Sequence, residues 1–309
     1  MLRALGLALA AAALAVPAAV GAEYPFARGD AVIGILADYI PRPGDALADI
    51  ARRFDVGYTE MVAANPGVDA WSPAQPLVVP SLYILPDAPR QGIVINLAAR
   101  RLFYFPPRGD RVQTYPIGIG VIGATTPLGV SRVVRKEPNP TWVPPASIRA
   151  ERPELPAAIG PGPDNPLGAF ALRLGWPNYL IHGTNKPDGV GRNVSHGCIR
   201  LYPEDVEHLF ASVPVGTPVR VVSQPAAAAW IGIGLYVVVH PDKAQADEID
   251  TERPMTPRPL EGLREIVEAA AGAYADSIDW AAVDRAGLER AGLPVEVARR
   301  PPVGFEASR

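Results

Sequence analysis

The chain has 309 residues with 29 basic and 32 acidic side chains, so its formal net charge is −3 at neutral pH. A net acidic chain lacks the positive surface with which proteins bind nucleic acid or an anionic membrane, and these two partner classes are excluded. The single cysteine excludes an intramolecular disulfide, and 36 prolines predict extended connections and strand-ending turns instead of a helical bundle.

The first 22 residues have the three parts of a signal peptide. Arg3 forms a basic start, residues 4–16 form an apolar stretch too short to span a bilayer, and Val20-Gly21-Ala22 has the small-residue pattern of a cleavage site. An uncleaved membrane anchor is the alternative, which so short an apolar stretch disfavours. We therefore expect residues 1–22 to direct export and the mature protein to have no membrane span.

Residues 35–81 predict a small unit with the order strand, helix, helix, strand. Apolar residues between Leu47 and Phe54 have helical spacing, and an Asn-Pro-Gly stop at 65–67 ends a second short helix. A short strand closed by proline follows at 75–80. This βααβ order resembles a LysM module, a small peptidoglycan-binding domain. Two roles stay open: binding of wall glycan, or packing against the domain that follows.

Residues 90–223 change to the period of two that indicates β-strands. The runs 93–97 and 102–105 predict a hairpin. A helix is predicted from Pro203, because acidic residues in its first turn precede a single apolar stripe. The expected fold is mainly β, a β-sandwich with short helices. Further strands are predicted at 114–118, 130–134, 170–174, 179–182 and 218–222.

Nine prolines lie between Pro138 and Pro166. A connection of this length without secondary structure is usually functional or disordered, so it predicts either a semi-rigid lid over a cleft or a plain surface excursion. Trp142 within it is expected either to contact the substrate or to hold the loop down.

Residues 224–309 form a mixed C-terminal accessory region. We expect an Ala-rich connection first, then a strand at 235–240 and helices near 260–275 and 278–291. The region contains no grouping of catalytic side chains, and no function is assigned to it.

The single cysteine lies in Ser195-His196-Gly197-Cys198-Ile199-Arg200-Leu201, downstream of Ile181-His182-Gly183-Thr184. A lone thiol in an exported protein is either buried and inert or kept free for chemistry. Because its ordinary pKa is about 8.5, little thiolate exists at neutral pH, and a nearby imidazole activates the thiol by taking its proton. The pattern predicts acyl transfer with Cys198 as the nucleophile and either His182 or His196 as the base.

These motifs resemble the active-site signature of the L,D-transpeptidases, bacterial enzymes with a YkuD-type catalytic domain that remodel peptidoglycan through a cysteine. The Arg200-Leu201 ending is most similar to the periplasmic Gram-negative branch that includes the enzymes anchoring the Braun lipoprotein. Other similar segments, within residues 35–242, are Gly92-Ile93-Val94-Ile95-Asn96, Tyr115-Pro116-Ile117-Gly118-Ile119-Gly120, Thr126-Pro127-Leu128-Gly129, Pro140-Thr141-Trp142 and Gly162-Pro163-Asp164-Asn165-Pro166-Leu167-Gly168.

The resemblance implies a YkuD-like β-sandwich at 90–223 and a periplasmic location. It implies a tetrapeptide stem of peptidoglycan as the acyl donor, with release of D-Ala, and no cofactor. The acceptor amine belongs either to the lysine of an outer-membrane lipoprotein, which the branch favours, or to a second stem. Carbapenems are expected to inhibit such an enzyme covalently, because they acylate a thiolate held beside an oxyanion hole.

The resemblance also assigns roles to the motif residues. In the family the first histidine, here His182, takes the thiol proton, and a backbone carbonyl, here that of Gly183, orients its ring. Ser195 and His196 support the site, with His196 on the acceptor side or at the oxyanion. The backbone N–H groups of Gly197 and Cys198 are the natural oxyanion donors, because glycine lets the chain approach the substrate closely.

Two residues are candidates for binding substrate. Arg200 is expected either to neutralise a substrate carboxylate or to form an ordinary ion pair within the fold. Trp142 is the second candidate, through direct contact with the substrate.

Three alternatives compete with the interpretation of the motif as a cysteine transpeptidase site. A zinc site built on His182, His196 and Cys198 needs a fourth ligand that no Cys-x-x-Cys or His-x-x-x-His pattern supplies, so no metal is expected. A wall-binding protein without catalysis is disfavoured by the intact motif. An L,D-carboxypeptidase would use the same site with water as the acceptor.

Overall fold

The computed structural model of the chain describes residues 21–27, 29–107, 109–120, 126–195 and 197–301. Nearly all of the predicted signal peptide, and His196, therefore lie outside the described residues. Within the described ranges, every helix is too short or too polar to cross a bilayer.

The described strands follow in chain order. They are β1 (Ala22–Pro25), β2 (Val32–Gly34), β3 (Ala37–Tyr39), β4 (Leu77–Val79), β5 (Leu82–Ile84), β6 (Gly92–Asn96), β7 (Arg101–Phe105), β8 (Arg111–Pro116), β9 (Ile119–Gly120), β10 (Gly129–Pro138), β11 (Phe170–Leu174), β12 (Leu180–His182), β13 (Asn193–Ser195), β14 (Ile199–Arg200), β15 (Pro218–Val222), β16 (Ala226–Ile231), β17 (Gly234–Val239) and β18 (Val295–Arg299).

The described helices are short. They are α1 (Leu47–Arg53), α2 (Tyr58–Ala64), α3 (Ala146–Glu151), α4 (Pro203–Ser212), α5 (Lys243–Asp250), α6 (Leu263–Ala271) and α7 (Trp280–Glu289), with 3₁₀ turns at Pro187–Gly189 and Gly272–Ser277.

One nine-stranded sheet forms the centre of the fold. Its order is β1-β8-β7-β6-β15-β10-β11-β12-β14, with parallel pairing between β6 and β15 and between β12 and β14. The prediction of a mainly β fold is confirmed, and the predicted hairpin is the antiparallel pair β6–β7.

The strands β6 and β7 are buried on both faces. Ile93 and Leu102 pack into a core with Leu172 and α4, while Val94 and Phe103 face a second cluster on the other side. Alternate side chains of a strand point to opposite faces, so two covered faces produce a continuous apolar run instead of a polar alternation. One face of this hairpin shares its core with Ile181 of β12 and Ile199 of β14, the strands that carry the motif.

The segment from β3 to β4 has the predicted order strand, helix, helix, strand, with β3 and β4 antiparallel. Its core contains Leu47, Ile50, Met61 and Leu77. The unit is tied to the central sheet by a buried ion pair between Glu60 of α2 and Arg101 of β7, 2.9 Å apart. Its likeness to a LysM module and the domain boundaries stay predictions.

The Ala-rich segment after residue 224 is a strand, and the prediction of a connection there is wrong. Residues 226–231 form β16, which pairs with β17, and β18 completes a three-stranded sheet packed against α6 and α7. Alanine has a low strand propensity, and here cross-strand pairing and burial override it. The predicted strand and two predicted helices are present as β17, α6 and α7.

Candidate active site

The two halves of the cysteine motif meet on neighbouring strands. Strands β12 and β14 are parallel, with Ile181 opposite Ile199 and His182 opposite Arg200. Both isoleucines are fully buried in the main core. Because side chains alternate along a strand, His182, Cys198 and Arg200 share the opposite face of this pair. The pairing thus brings the strand that ends at His182 beside the strand that begins directly after Cys198.

The imidazole of His182 is held in one neutral tautomer. Its side chain is buried, and Nδ1 lies 2.6 Å from the carbonyl oxygen of Gly183. A carbonyl only accepts, so Nδ1 carries the proton and Nε2 is the basic nitrogen. Burial, and then the charge of Arg200, lower the pKa of His182 to about 3, against the opposing effect of the carbonyls of Gly183 and Leu167.

Cys198 rests as a thiol. It is half-buried, and its Sγ donates to the carbonyl oxygen of Asn178 at 3.5 Å. Burial raises the pKa of the thiol, although the backbone of Leu180 and the charges of Arg200 and Arg173 act in the opposite direction. A raised thiol pKa beside a lowered imidazole pKa favours the neutral pair. In the predicted reaction, proton transfer would therefore accompany attack instead of preceding it.

The peptide between Gly197 and Cys198 is held in one orientation by Thr126. The Thr126 hydroxyl donates to the carbonyl oxygen of Gly197 at 2.8 Å, in a buried position. Gly197 has φ +101°, a conformation that favours glycine. Because a trans peptide is planar, this carbonyl direction turns the Cys198 N–H the opposite way. Thr126 belongs to a segment that resembles the family, but its role depends on this contact and could not be predicted from the sequence.

Arg200 is an available cation at the site. Its backbone pairs with Gly118 in both directions, at 2.8 and 2.9 Å, which fixes the position of its Cα. Among the described residues its side chain has no acidic partner, and its buried Nε lacks a hydrogen bond. Burial lowers the pKa of Arg200, yet an arginine stays protonated at neutral pH. Of the two predicted roles, the ion pair within the fold is therefore the less supported.

The proline-rich connection, residues 138–166, is held by hydrogen bonds between its own residues. Trp142 and Ile159 exchange both backbone hydrogen bonds at 2.8 Å, and helix α3 lies between them. The buried Asn165 side chain donates to the carbonyl oxygen of Pro140 at 2.6 Å and accepts from the N–H of Leu167 at 2.9 Å. The expectation of a loop without secondary structure is wrong at α3. Proline has no N–H to donate, so the hydrogen bonds that fix this connection come from the backbone of Trp142 and Ile159 and from the side chain of Asn165.

The remaining predicted residues are only partly described. Ser195 ends β13, whose parallel partner is β9, and its side chain is outside the described part, as is the whole of His196. No group of three potential metal ligands is found among the described side chains.

The resting protonation states predict a distinctive pH dependence. Because the pKa of His182 is lowered to about 3, its base form is present throughout the neutral range. Because burial raises the pKa of Cys198, the thiolate fraction should still be increasing at about pH 9. Alkylation by iodoacetamide, followed by intact mass from about pH 5 to about pH 9.5, should accelerate with pH without a plateau. A plateau with a midpoint near pH 6 would indicate a preformed thiolate–imidazolium pair instead.

Substitution of Thr126 should slow acylation of the cysteine. Thr126→Val keeps the shape but removes the donor to Gly197, so we expect an acylation rate lower by about tenfold or more, up to the roughly 100-fold typical of a lost oxyanion donor. Thr126→Ser keeps the hydroxyl and is the matched control, with a rate close to that of the wild type. The measurement is the rate of carbapenem adduct formation by mass spectrometry. Equal rates for Val and Ser would contradict the orienting role.

The chain is similar to one protein family and to several proteins with names of that family. The family described as YkuD, the L,D-transpeptidase catalytic domain, matches residues 90–221. The chain is 38% identical to the probable L,D-transpeptidase YcfS of Escherichia coli K12, over 94% of this chain and 92% of that protein. It is 38% identical to the probable L,D-transpeptidase ErfK/SrfK of Salmonella typhimurium, over 82% of each. The putative L,D-transpeptidase YkuD of Bacillus subtilis is 32% identical over 59% of this chain and 97% of its own length.

Proposed function

Since the chain belongs to the L,D-transpeptidase family, we propose that it transfers a peptidoglycan stem peptide to an amine through a thioester on Cys198. The observation that supports the proposal is the parallel pairing of β12, which ends at His182, with β14, which begins directly after Cys198. The donor is a tetrapeptide stem whose terminal D-Ala follows a diamino acid, in many walls meso-diaminopimelate.

In the first step, Nε2 of His182 takes the thiol proton while Sγ of Cys198 bonds to the carbonyl carbon of the diamino acid. The tetrahedral intermediate collapses when its C–N bond breaks, and the proton on His182 passes to the amine of the departing D-Ala. The products are a thioester and free D-Ala. A neutral resting imidazole suits this role, because it must accept a proton before it donates one.

In the second step, the acceptor amine attacks the thioester carbon. His182 takes a proton from the attacking nitrogen, the C–S bond breaks, and the thiolate is reprotonated. The N–H of Cys198, oriented through Thr126 and Gly197, is the oxyanion donor that the described contacts support best in both steps. Arg200 would neutralise a carboxylate of the stem, since its charge is not used within the described fold.

The base assignment is tested by comparing the two histidines of the motif. His182→Ala should slow carbapenem acylation far more than His196→Ala, because it removes the group that accepts the thiol proton. Adduct formation is measured against pH for both variants. A larger loss in His196→Ala, with a changed pH profile, would move the base to His196.

For the acceptor, we favour the terminal lysine amine of an outer-membrane lipoprotein over the side-chain amine of a second stem. The support is the likeness of the segments 126–129 and 140–142 and of Arg200-Leu201 to the lipoprotein-anchoring branch. Muropeptide analysis of cells with and without the protein distinguishes the acceptors. Loss of lipoprotein remnants supports anchoring. Loss of cross-links between diamino acids indicates a second stem, and loss of trimmed tripeptide stems indicates water.

The proposed place of action is the periplasm, to which the predicted signal peptide would direct the chain. The βααβ unit is proposed to pack on the catalytic domain, because α1 and α2 contribute charged contacts to it, including a bidentate pair between Arg52 and Glu204. Co-sedimentation of the full chain with purified sacculi tests the alternative role in glycan binding. Loss of binding on substitution of the exposed Trp71 would favour that alternative.

A further inference from the structure

Two buried carboxyl groups face each other between the βααβ unit and α4. Asp55 follows α1 and is 1% exposed, and Asp205 lies in the first turn of α4 and is 0% exposed. Each carboxyl group is within hydrogen-bonding reach of the other. Burial raises the pKa of Asp55 to about 7 and that of Asp205 well above its usual range. The proposed transpeptidation uses neither group.

The described residues provide little positive charge for this pair. Arg101 is the cation that acts on Asp55, and it is already paired with Glu60. Arg52 is paired with Glu204 in the same way. Asp55 Oδ1 and Asp205 Oδ2 receive no N–H or O–H donor from the other described groups. Burying two acids costs several kcal/mol per ion unless a cation or a shared proton compensates.

The start of strand β1 reaches both carboxyl groups. The backbone nitrogen of Ala22 lies 2.7 Å from Asp55 Oδ2, and that of Gly21 lies 3.1 Å from Asp205 Oδ1. Each backbone amide contributes one N–H and no net charge. An α-ammonium group at the position of the Ala22 nitrogen would offer Asp55 three N–H donors in place of one and would add a full positive charge beside the pair, while the Gly21 donor to Asp205 would leave with the cleaved segment.

The sequence permits a cleavage that creates this group. Ala19-Val20-Gly21 has the small residues of a signal-peptide cleavage site, one position before the site at Ala22 considered above. Gly21 has φ +52°, and a Cβ there would lie 2.5 Å from both His208 Nδ1 and Tyr115 Cε1. This position therefore accepts glycine and no residue with a side chain.

We propose that Asp55 and Asp205 form a binding site for the α-ammonium group of Ala22, created by cleavage after Gly21. The ligand is a primary ammonium supplied by the chain itself. The site joins the edge strand β1, the βααβ unit and helix α4, which begins directly after the cysteine motif. Removal of the signal peptide would thus complete the packing around the catalytic domain. The inference does not depend on the proposed activity.

The first test identifies the mature N-terminus. The full chain is expressed with its own signal peptide in a Gram-negative host, purified from the periplasm and analysed by intact mass and N-terminal sequencing. A chain that begins at Ala22 is expected. A chain that begins at Glu23 or at any other residue would overturn the proposal.

The second test asks whether the free amine stabilises the fold through the pair. The processed protein is compared with a cytoplasmic form that retains residues 12–21 behind an initiator Met, and the processed form should unfold at a higher urea concentration. In Asp55→Asn the difference between the two forms should disappear, whereas Asp284→Asn, in an exposed pair with Arg264, should retain it. Equal midpoints for the two wild-type forms would overturn the proposal.

A third measurement uses only the wild-type processed protein, so it decides the matter even if Asp55→Asn does not fold. The α-amine is acetylated with an N-hydroxysuccinimide ester, and its modification is followed by peptide mass mapping. An ammonium paired with a carboxylate should react at least about tenfold more slowly in the folded protein than in urea, since each unit of raised pKa removes a factor of ten of free amine. Equal rates would overturn the proposal.

Discussion

Replacement of Cys198 with alanine is expected to abolish acyl transfer and leave the fold intact. The thiol is the only one in the chain, and no other described group on this face supplies a nucleophile of comparable strength. Loss of a covalent nucleophile typically costs roughly 10⁴-fold or more in rate. After exposure to a carbapenem, intact mass should show one adduct on the wild type and none on Cys198→Ala.

The control for this variant is its stability. The side chain is small and half-buried, so the midpoint of urea unfolding should stay close to that of the wild type. Binding to purified sacculi, if the chain binds them, should also be unchanged in Cys198→Ala. A carbapenem adduct on the folded variant would contradict the assignment of Cys198 as the nucleophile.

Breaking the ion pair between Glu60 and Arg101 is expected to have the largest effect on stability. The two side chains are 9% and 1% exposed and lie 2.9 Å apart, and the guanidinium also donates to the Asp55 carbonyl and lies over the Tyr83 ring. Glu60→Gln leaves the arginine buried without its counter-ion. Loss of one partner of a buried pair lowers the free energy of unfolding by about 3–5 kcal/mol, which urea denaturation measures.

The matched control is the second ion pair between the same two parts of the chain. Arg52 and Glu204 are 41% and 28% exposed, so solvent screens their attraction. Arg52→Ala should lower the free energy of unfolding by only about 0–1 kcal/mol. Equal losses in the two variants would show that burial does not decide the strength of these pairs. A separate, early unfolding step in Glu60→Gln would show that the βααβ unit and the sheet unfold independently.

Much of the candidate site could be predicted from the sequence because its signals are local. The runs of period two identified β6, β7, β11 and β15 closely, since alternation of side chains is a property of each strand by itself. The residue types and spacing of His182 and Cys198 indicated thiol chemistry without any knowledge of the fold. The order of the βααβ unit followed from helical spacing and from a proline and glycine stop.

Other features were decided only by the tertiary structure, because their causes lie far apart along the chain. Residues 226–231 looked like a connection, and only pairing with β17 makes them a strand. Thr126 reaches Gly197 across 71 residues. Asp55 meets Asp205 only when the βααβ unit packs on α4. Local propensity extends over a few residues, whereas burial and electrostatics depend on which distant segments exclude water from a site. The residue types of the motif therefore indicated the chemistry of the candidate site. The contacts and protonation states of its residues were decided by the tertiary structure.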